Sequence, residues 1–228
     1  MEYHSYDSQL IAVLDPVMGD DGELYVADEV VPIYKSIIPL ADIILPNQFE
    51  AEVLSGCKLD SVESIRIVLQ ALHQQYRIRH IVISSLHLDS HPGVMLCCGS
   101  TATEHFEPQP FMIEAPVIDG PFVGTGDLFA ALLLARLHPV IDALTTTGDI
   151  SAHGLPLAEA LELVIASMQG VLKTTKVEMD RQLENDGEAS SLTEKEKIVR
   201  ISRAAELRLV NSQTELTNPV VVLKAALL

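Results

Sequence analysis

Four short apolar runs punctuate the first half of the chain, and each ends on a polar or turn-forming residue. Leu10–Leu14 (LIAVL) closes on Asp15-Pro16, Asp42–Leu45 on Pro46, and His80–Ser84 (HIVIS) on a second serine, Ser85. Gly93–Cys98 (GVMLCC) follows the turn His91-Pro-Gly93. Runs this short and this apolar predict strands buried on both faces. Between them the period changes to that of a helix. One helix is expected from Ala27-Asp28 to Lys35, with Pro32 near its first turn. Asn47 caps a second, Gln48 to Leu54, which Gly56 stops. A third opens at Asp60-Ser-Val-Glu63, which has capping-box spacing, and carries Val62, Ile65, Val68, Leu69 and Leu72 on one face.

The second half reads as more helical. Two helices are expected at Asp127–Leu137 and Leu157–Val177, joined by a Thr- and Gly-rich connection from Leu144 to Gly154. Glu206–Val210 (ELRLV) alternates as a late strand would, and Asn218-Pro219 breaks the chain before an apolar tail. Strands alternating with helices predict an α/β fold, a mostly parallel sheet with helices on both faces, in a single domain spanning residues 1–228. Such folds place ligands at the carboxyl ends of their strands.

Composition narrows the function classes. The chain has 228 residues, 48% of them hydrophobic, and a formal net charge of −17 from 15 Lys+Arg and 32 Asp+Glu. That sign disfavours nucleic acid and anionic membrane as partners. Part of the excess lies in residues 178–197, read as an acidic surface loop. No apolar run is long enough to span a bilayer. Cys57, Cys97 and Cys98 cannot form a disulfide framework, because neighbours in a strand face opposite ways. Buried thiols in a reducing compartment, and hence a cytoplasmic location, are expected.

The chemistry concentrates in Asp119-Gly-Pro-Phe-Val-Gly-Thr-Gly-Asp127, which runs into the apolar helix. Gly124, Thr125 and Gly126 can turn successive N–H groups toward an anion, and the helix start adds its own free amides. A carboxylate beside a phosphate site is electrostatically awkward, so Asp127 is read as the base that takes a proton from an attacking hydroxyl. No lysine follows as in a P-loop. Asp15 and Asp20, bent around Gly19, can converge on a hard cation, although an Asp-rich turn explains them as well. Asn47 and Glu50 read first as a helix cap, and Ser84 and Ser85 as ordinary strand-end serines. His87 and His91 fall in a loop. Met95, Met112 and Met168 read as core.

Taken together, DPVMGD (Asp15–Asp20), LPNQFEAEVLSG (Leu45–Gly56), VISS (Val82–Ser85) and FVGTGDLFAALLLA (Phe122–Ala135) resemble the pyridoxal kinase family of the ribokinase-like superfamily, as does ELRLVNSQTEL (Glu206–Leu216). The resemblance implies ATP-dependent phosphorylation of the 5′-hydroxymethyl group of pyridoxal, pyridoxine or pyridoxamine. It makes Asp127 the catalytic base and Gly124, Thr125 and Gly126 the anion hole, with Gly124 and Asp127 touching the acceptor. It assigns Asp15, Asn47, Ser84, Ser85 and Thr125 to the nucleotide, with Ile118, Asp119 and Gly120 at its base and ribose. It assigns Asp20 and Glu50 to the metal. Mg2+ is implied, with K+ beside it, although Leu45 stands where animal members carry threonine. A homodimer is also implied. On this resemblance the chain is expected to lack the N-terminal strands, the lid and most residues that grip the pyridoxal ring. Two rival readings are a kinase for hydroxymethylpyrimidine or a sugar, and a catalytically impaired ATP-binding or dimerisation partner.

Overall fold

Side chains alternating through one sheet organise the molecule. The computed structural model describes residues 11–147, 156–185 and 193–228. Within them a six-stranded sheet runs β1 (Val13–Leu14), β4 (Ile43–Ile44), β5 (His80–Leu86), β6 (Val94–Ala102), β7 (Pro108–Pro116), β8 (Ala226–Leu227). A separate hairpin pairs β2 (Gly19–Asp20) with β3 (Glu23–Leu24). The sheet is parallel through β1, β4 and β5, and its remaining strands join antiparallel.

Successive strand residues enter opposite cores, as the pleat requires. Ile44, Ile81, Ile83, Cys98 and Met112 face one apolar cluster. It is completed by α2 (Gln48–Ser55) and α3 (Val62–Tyr76), whose Leu54, Leu69 and Leu72 are wholly buried. Ile43, Val82, Cys97, Phe111 and Ile113 face the other cluster, built against α4 (Thr125–Thr147) and α5 (Pro156–Asn185). Each fully buried Leu or Ile contributes about 2 kcal/mol relative to exposure. The α/β architecture with a helical layer on each face is therefore the expected one. Cys97 and Cys98 are free thiols buried in opposite cores, and burial pushes Cys98 up to about 12.

Local chemistry explains several boundaries. Asn47 has extended backbone, accepts the Glu50 amide with its side chain and forms a full capping box with that residue. Gly56 ends α2 in the left-handed conformation at φ +73°. α1 (Val30–Ile37) starts a little later than the sequence suggests. At the start of α3 the expected cap moves one position. Ser61, not Asp60, has the extended backbone, and Ser64, not Glu63, completes the reciprocal bonds.

Other expectations are overturned. The region 178–197 is not a loop where it is described. α5 continues to Asn185, carried by ion pairs on its own surface between Lys176 and Asp180 and between Glu178 and Arg181. α6 (Glu194–Ala204) then opens on a Thr193–Glu196 capping box. Oppositely charged residues three and four apart make an acidic stretch helical rather than irregular. α4 runs to Thr147 instead of ending at Leu137 and takes in Leu144–Thr147, because propagation costs little once a helix is nucleated. Residues 148–154 of the expected connection lie outside the described residues.

Glu206–Val210 is not a strand. Only Glu206 pairs, as a parallel bridge to Val123, and the chain then turns through a 3-10 segment (Val210–Ser212) into α7 (Gln213–Thr217). The Arg208 amide donates to Thr175 Oγ1 rather than to a ladder. The last strand is β8, inside the apolar tail.

Gly99 on β6 lies opposite Phe111, whose ring occupies the space a Cβ would need. Gly99→Ala therefore overpacks a rigid site and is expected to lower stability by about 1–3 kcal/mol. Thermal or urea unfolding measures this, and a midpoint equal to wild type would refute the packing assignment.

Candidate active site

Glu50 is the residue around which the site is built. It is 3% exposed, and its carboxylate is held by main-chain donors from two loops. Oε1 accepts from the Met18 amide at 2.8 Å and the Gly19 amide at 3.4 Å, and Oε2 accepts from the Asn47 amide at 2.9 Å. Asn47 completes the link by donating from Nδ2 to the Gly19 carbonyl at 2.7 Å. The loop after β1 and the start of α2 are thus fastened to each other. Burial raises the Glu50 pKa, and the three backbone bonds pull it back down.

That clamp presents Asp15 and Asp20 along one wall of a cleft of about 490 Å³, with Asn47 and Glu50 at its side. The opposite wall is the start of α4. Gly124 lies in left-handed backbone at φ +83°, and the Leu128 amide reaches back to its carbonyl at 3.1 Å. The amides of Thr125, Gly126 and Asp127 fall in the first turn, where no preceding helical carbonyl can pair them. With the helix dipole they are able to receive an anion. Asp127 projects from that turn into the same cleft. A Cβ on Gly126 would lie 3.8 Å from Asp15 Oδ2, so the two walls meet here. Asp15 has a raised pKa, first from burial and second from the charge of Asp127.

Ser84 and Ser85 reach the cleft through an irregularity in β5. Ile83 pairs with Cys98 and Leu86 with Leu96, so two serines stand opposite Cys97. Such a bulge re-aims side chains. The Ser84 amide bonds to the Pro46 carbonyl at 3.1 Å, joining this strand end to the α2 loop.

The sequence-derived set therefore converges, with one exception. Asp15, Asp20, Asn47, Glu50, Ser84 and Ser85 share the cleft with Gly124, Thr125, Gly126 and Asp127. Ile118, Asp119 and Gly120 lie in the connection between β7 and α4 and do not line it. Among the described residues, none that lines the cleft is Lys, Arg or His. No cluster of three or more His, Cys, Asp or Glu side chains suited to a metal occurs among the described residues. The donors do suit a cation shared with phosphate oxygens, since carboxylates dominate and nothing else there offsets negative charge.

The family model for phosphomethylpyrimidine kinase matches residues 2–148. Pyridoxal kinase of Ovis aries is 34% identical, aligned to 100% of this chain and 68% of its own length. The chain belongs to the pyridoxal kinase family.

Pyridoxal kinase of Arabidopsis thaliana is 35% identical over 97% of this chain and 62% of its own length. Among solved structures, pyridoxal kinase from Leishmania donovani in complex with ADP and pyridoxamine superposes with a TM-score of 0.71 at 27% identity. That match covers 96% of this chain and 62% of the other. The chain spans between 51% and 68% of the length of the pyridoxal kinase relatives it matches.

Several lining residues escaped the sequence. Leu45, Met95, Phe129, Ile165, Met168 and Leu172 make part of the lining of the cleft apolar. Three of them, with Gln169, recur at helical spacing on α5, where only Met168 was read, as core. Met168 is core and lining at once, and Met95 packs at the core's edge while lining the cleft. Val17, between β1 and β2, and Tyr25, directly after β3, also line the cleft.

The folded protein binds a proton at Asp15 more readily than the unfolded chain, whose ordinary value is 3.8. That stabilising contribution is present at low pH and is lost as pH rises through the raised value. Asp15→Asn removes the penalty. The ligand-free variant is expected to melt above wild type at pH 8, by a margin that narrows as pH falls through the raised value toward 3.8. A variant melting at or below wild type at pH 8 would contradict this repulsion.

Proposed function

We propose that this chain carries the nucleotide-binding and phosphoryl-transfer machinery of a pyridoxal kinase. The reaction is ATP-dependent phosphorylation of the 5′-hydroxymethyl group of pyridoxal, and by extension of pyridoxine and pyridoxamine. The observation that carries the reading is the position of Asp127. It stands on the first turn of α4, beside free amides, in a cleft whose other wall is acidic.

The acceptor hydroxyl oxygen attacks the γ-phosphorus and its proton passes to the Asp127 carboxylate. The bond from the γ-phosphorus to the β–γ bridging oxygen breaks, and its electron pair leaves with ADP. The amides of Thr125, Gly126 and Asp127 face the charge that spreads over the transferring oxygens, so most catalysis is positioning and charge stabilisation. Asn47, Ser84 and Ser85 supply hydrogen-bonding groups for the other phosphate oxygens. Asp15 and Asp20 would hold Mg2+ through its water shell or directly, and the metal would neutralise phosphate charge. Glu50, with its oxygens engaged by three amides, serves that network chiefly by fixing the Asp20 loop. The side chain of Leu45 is buried and has no oxygen, so a K+ ion beside the metal would rest on carbonyl groups.

A second acceptor is favoured by the family match itself. Hydroxymethylpyrimidine also presents a hydroxymethyl group on a nitrogen heterocycle, and the matching model describes phosphomethylpyrimidine kinase. We further infer a cytoplasmic protein and a homodimer. Among the described residues no helix is long and apolar enough to cross a membrane.

The purified chain is assayed for ADP release with pyridoxal and with hydroxymethylpyrimidine. Pyridoxal is expected to give the higher kcat/KM, and preference for the pyrimidine would transfer the reading to that substrate. Asp127→Asn should lower kcat about 10²–10⁴-fold and leave Mg·ATP affinity nearly unchanged, as loss of a general base does. Turnover by Asp127→Asn at the wild-type rate would exclude it as the base. Chelation of divalent metal should abolish turnover, and Mg2+ should restore it.

A further inference from the structure

Gln169 is 8% exposed, lies on α5 and lines the cleft with Ile165, Met168 and Leu172. Its Nε2 donates to the Pro116 carbonyl at 2.9 Å, at the end of β7. A carbonyl can only accept, so this bond fixes which end of the amide is which. The remaining atom, Oε1, is buried with no hydrogen-bond partner. A buried acceptor left unpaired is costly, and such a group calls for an explanation.

The surroundings suggest one. Phosphate groups belong at the start of α4, so a nucleotide entering there carries its base toward the apolar lining formed by Met95, Phe129, Met168 and Leu172. Flat faces of a heterocycle fit such a lining. The edge of that heterocycle then meets an oxygen that can only accept. Met168 and Met95 have flexible thioether chains that can yield as the ring enters and uncovers Oε1.

We propose that Gln169 is a specificity-determining residue that reads position 6 of a purine, favouring the 6-amino group of adenine over the 6-oxo group of guanine or hypoxanthine. An amino group donates to Oε1, whereas a keto oxygen would face it acceptor to acceptor. This rests on the reading of the cleft as a nucleotide site. It adds a selecting residue outside the Ile118–Gly120 segment that the sequence pointed to.

Binding of the Mg2+ complexes of ATP, inosine triphosphate and purine riboside triphosphate to the unaltered chain is compared by titration calorimetry. The last two differ from ATP in bearing a 6-oxo group and no 6-substituent. ATP is expected to bind about 3–10-fold more tightly than purine riboside triphosphate, the range of one neutral hydrogen bond, and to exceed inosine triphosphate by more. Gln169→Met should weaken ATP by a similar factor, with little change for purine riboside triphosphate and a melt that stays cooperative. Equal affinity for all three nucleotides would overturn the role of Gln169 and leave the nucleotide site intact. Absence of binding by any of them would overturn both. A Gln169→Met variant that folds and keeps the wild-type ATP preference also rejects the proposal.

Discussion

The carboxylate of Glu50 and the three backbone amides it receives are the interaction on which the site depends. A buried charge is unfavourable unless hydrogen bonds replace its hydration. Here the replacements come from Met18, Gly19 and Asn47, so satisfying the charge requires the β1 loop and the start of α2 to be in register. The constraint is tightened at Gly19, where a Cβ would collide with the Glu23 carbonyl and the Phe49 ring. The hairpin carrying Asp20 is therefore held against α2 by a polar clamp and by close packing. Loss of either would leave Asp20 on a short, largely exposed turn.

The sheet supplies the frame within which that clamp works. β1, β4 and β5 run parallel, so their carboxyl ends emerge on one edge and deliver Asp15, the Asn47 loop and the two serines together. Beyond β5 the strands become antiparallel, and the longest two, β6 and β7, pair from Val94–Pro116 to Ala102–Pro108. That ribbon carries Met95 to the cleft and leads through the Val123–Glu206 bridge region to α4. α5 lies against α4 and is tied to the end of β7 by Gln169. The acidic wall is thus built from parallel strand ends, and the anion-binding wall from a helix anchored on the other half of the sheet.

What the sequence made legible is what local rules decide. Asn47 and Gly56 bound α2 because capping and left-handed geometry act over a few residues. Cys97 and Cys98 diverge because the pleat is obligatory. Convergence of the motifs followed from their common place at strand ends. β7 was not legible, since Pro108, Pro110 and Pro116 argue against a strand. It forms because β6 offers a full-length partner and only the short β8 pairs on its other side. The acidic helix end failed for a related reason, as net charge hides the spacing of opposite charges. Gln169 was invisible because its partner, Pro116, is 53 positions away.

The electrostatics of the cleft show why stability and function pull apart here. Asp15 and Asp127 face each other across the junction of the walls, and the burial of one and the charge of the other make Asp15 reluctant to ionise. Among the described residues no cationic side chain in the lining relieves this, and the chain as a whole is strongly negative. A triphosphate entering alone would add to the repulsion, with the α4 amides and neutral polar side chains to receive it. Entering with a divalent cation, it would bring the charge that the carboxylates lack, and each ion would make the binding of the other more favourable. Coupling of this kind needs no conformational switch. It follows from placing an acidic wall within reach of a helix start, and under the proposed function the same repulsion that weakens the empty fold would select a metal-bound nucleotide.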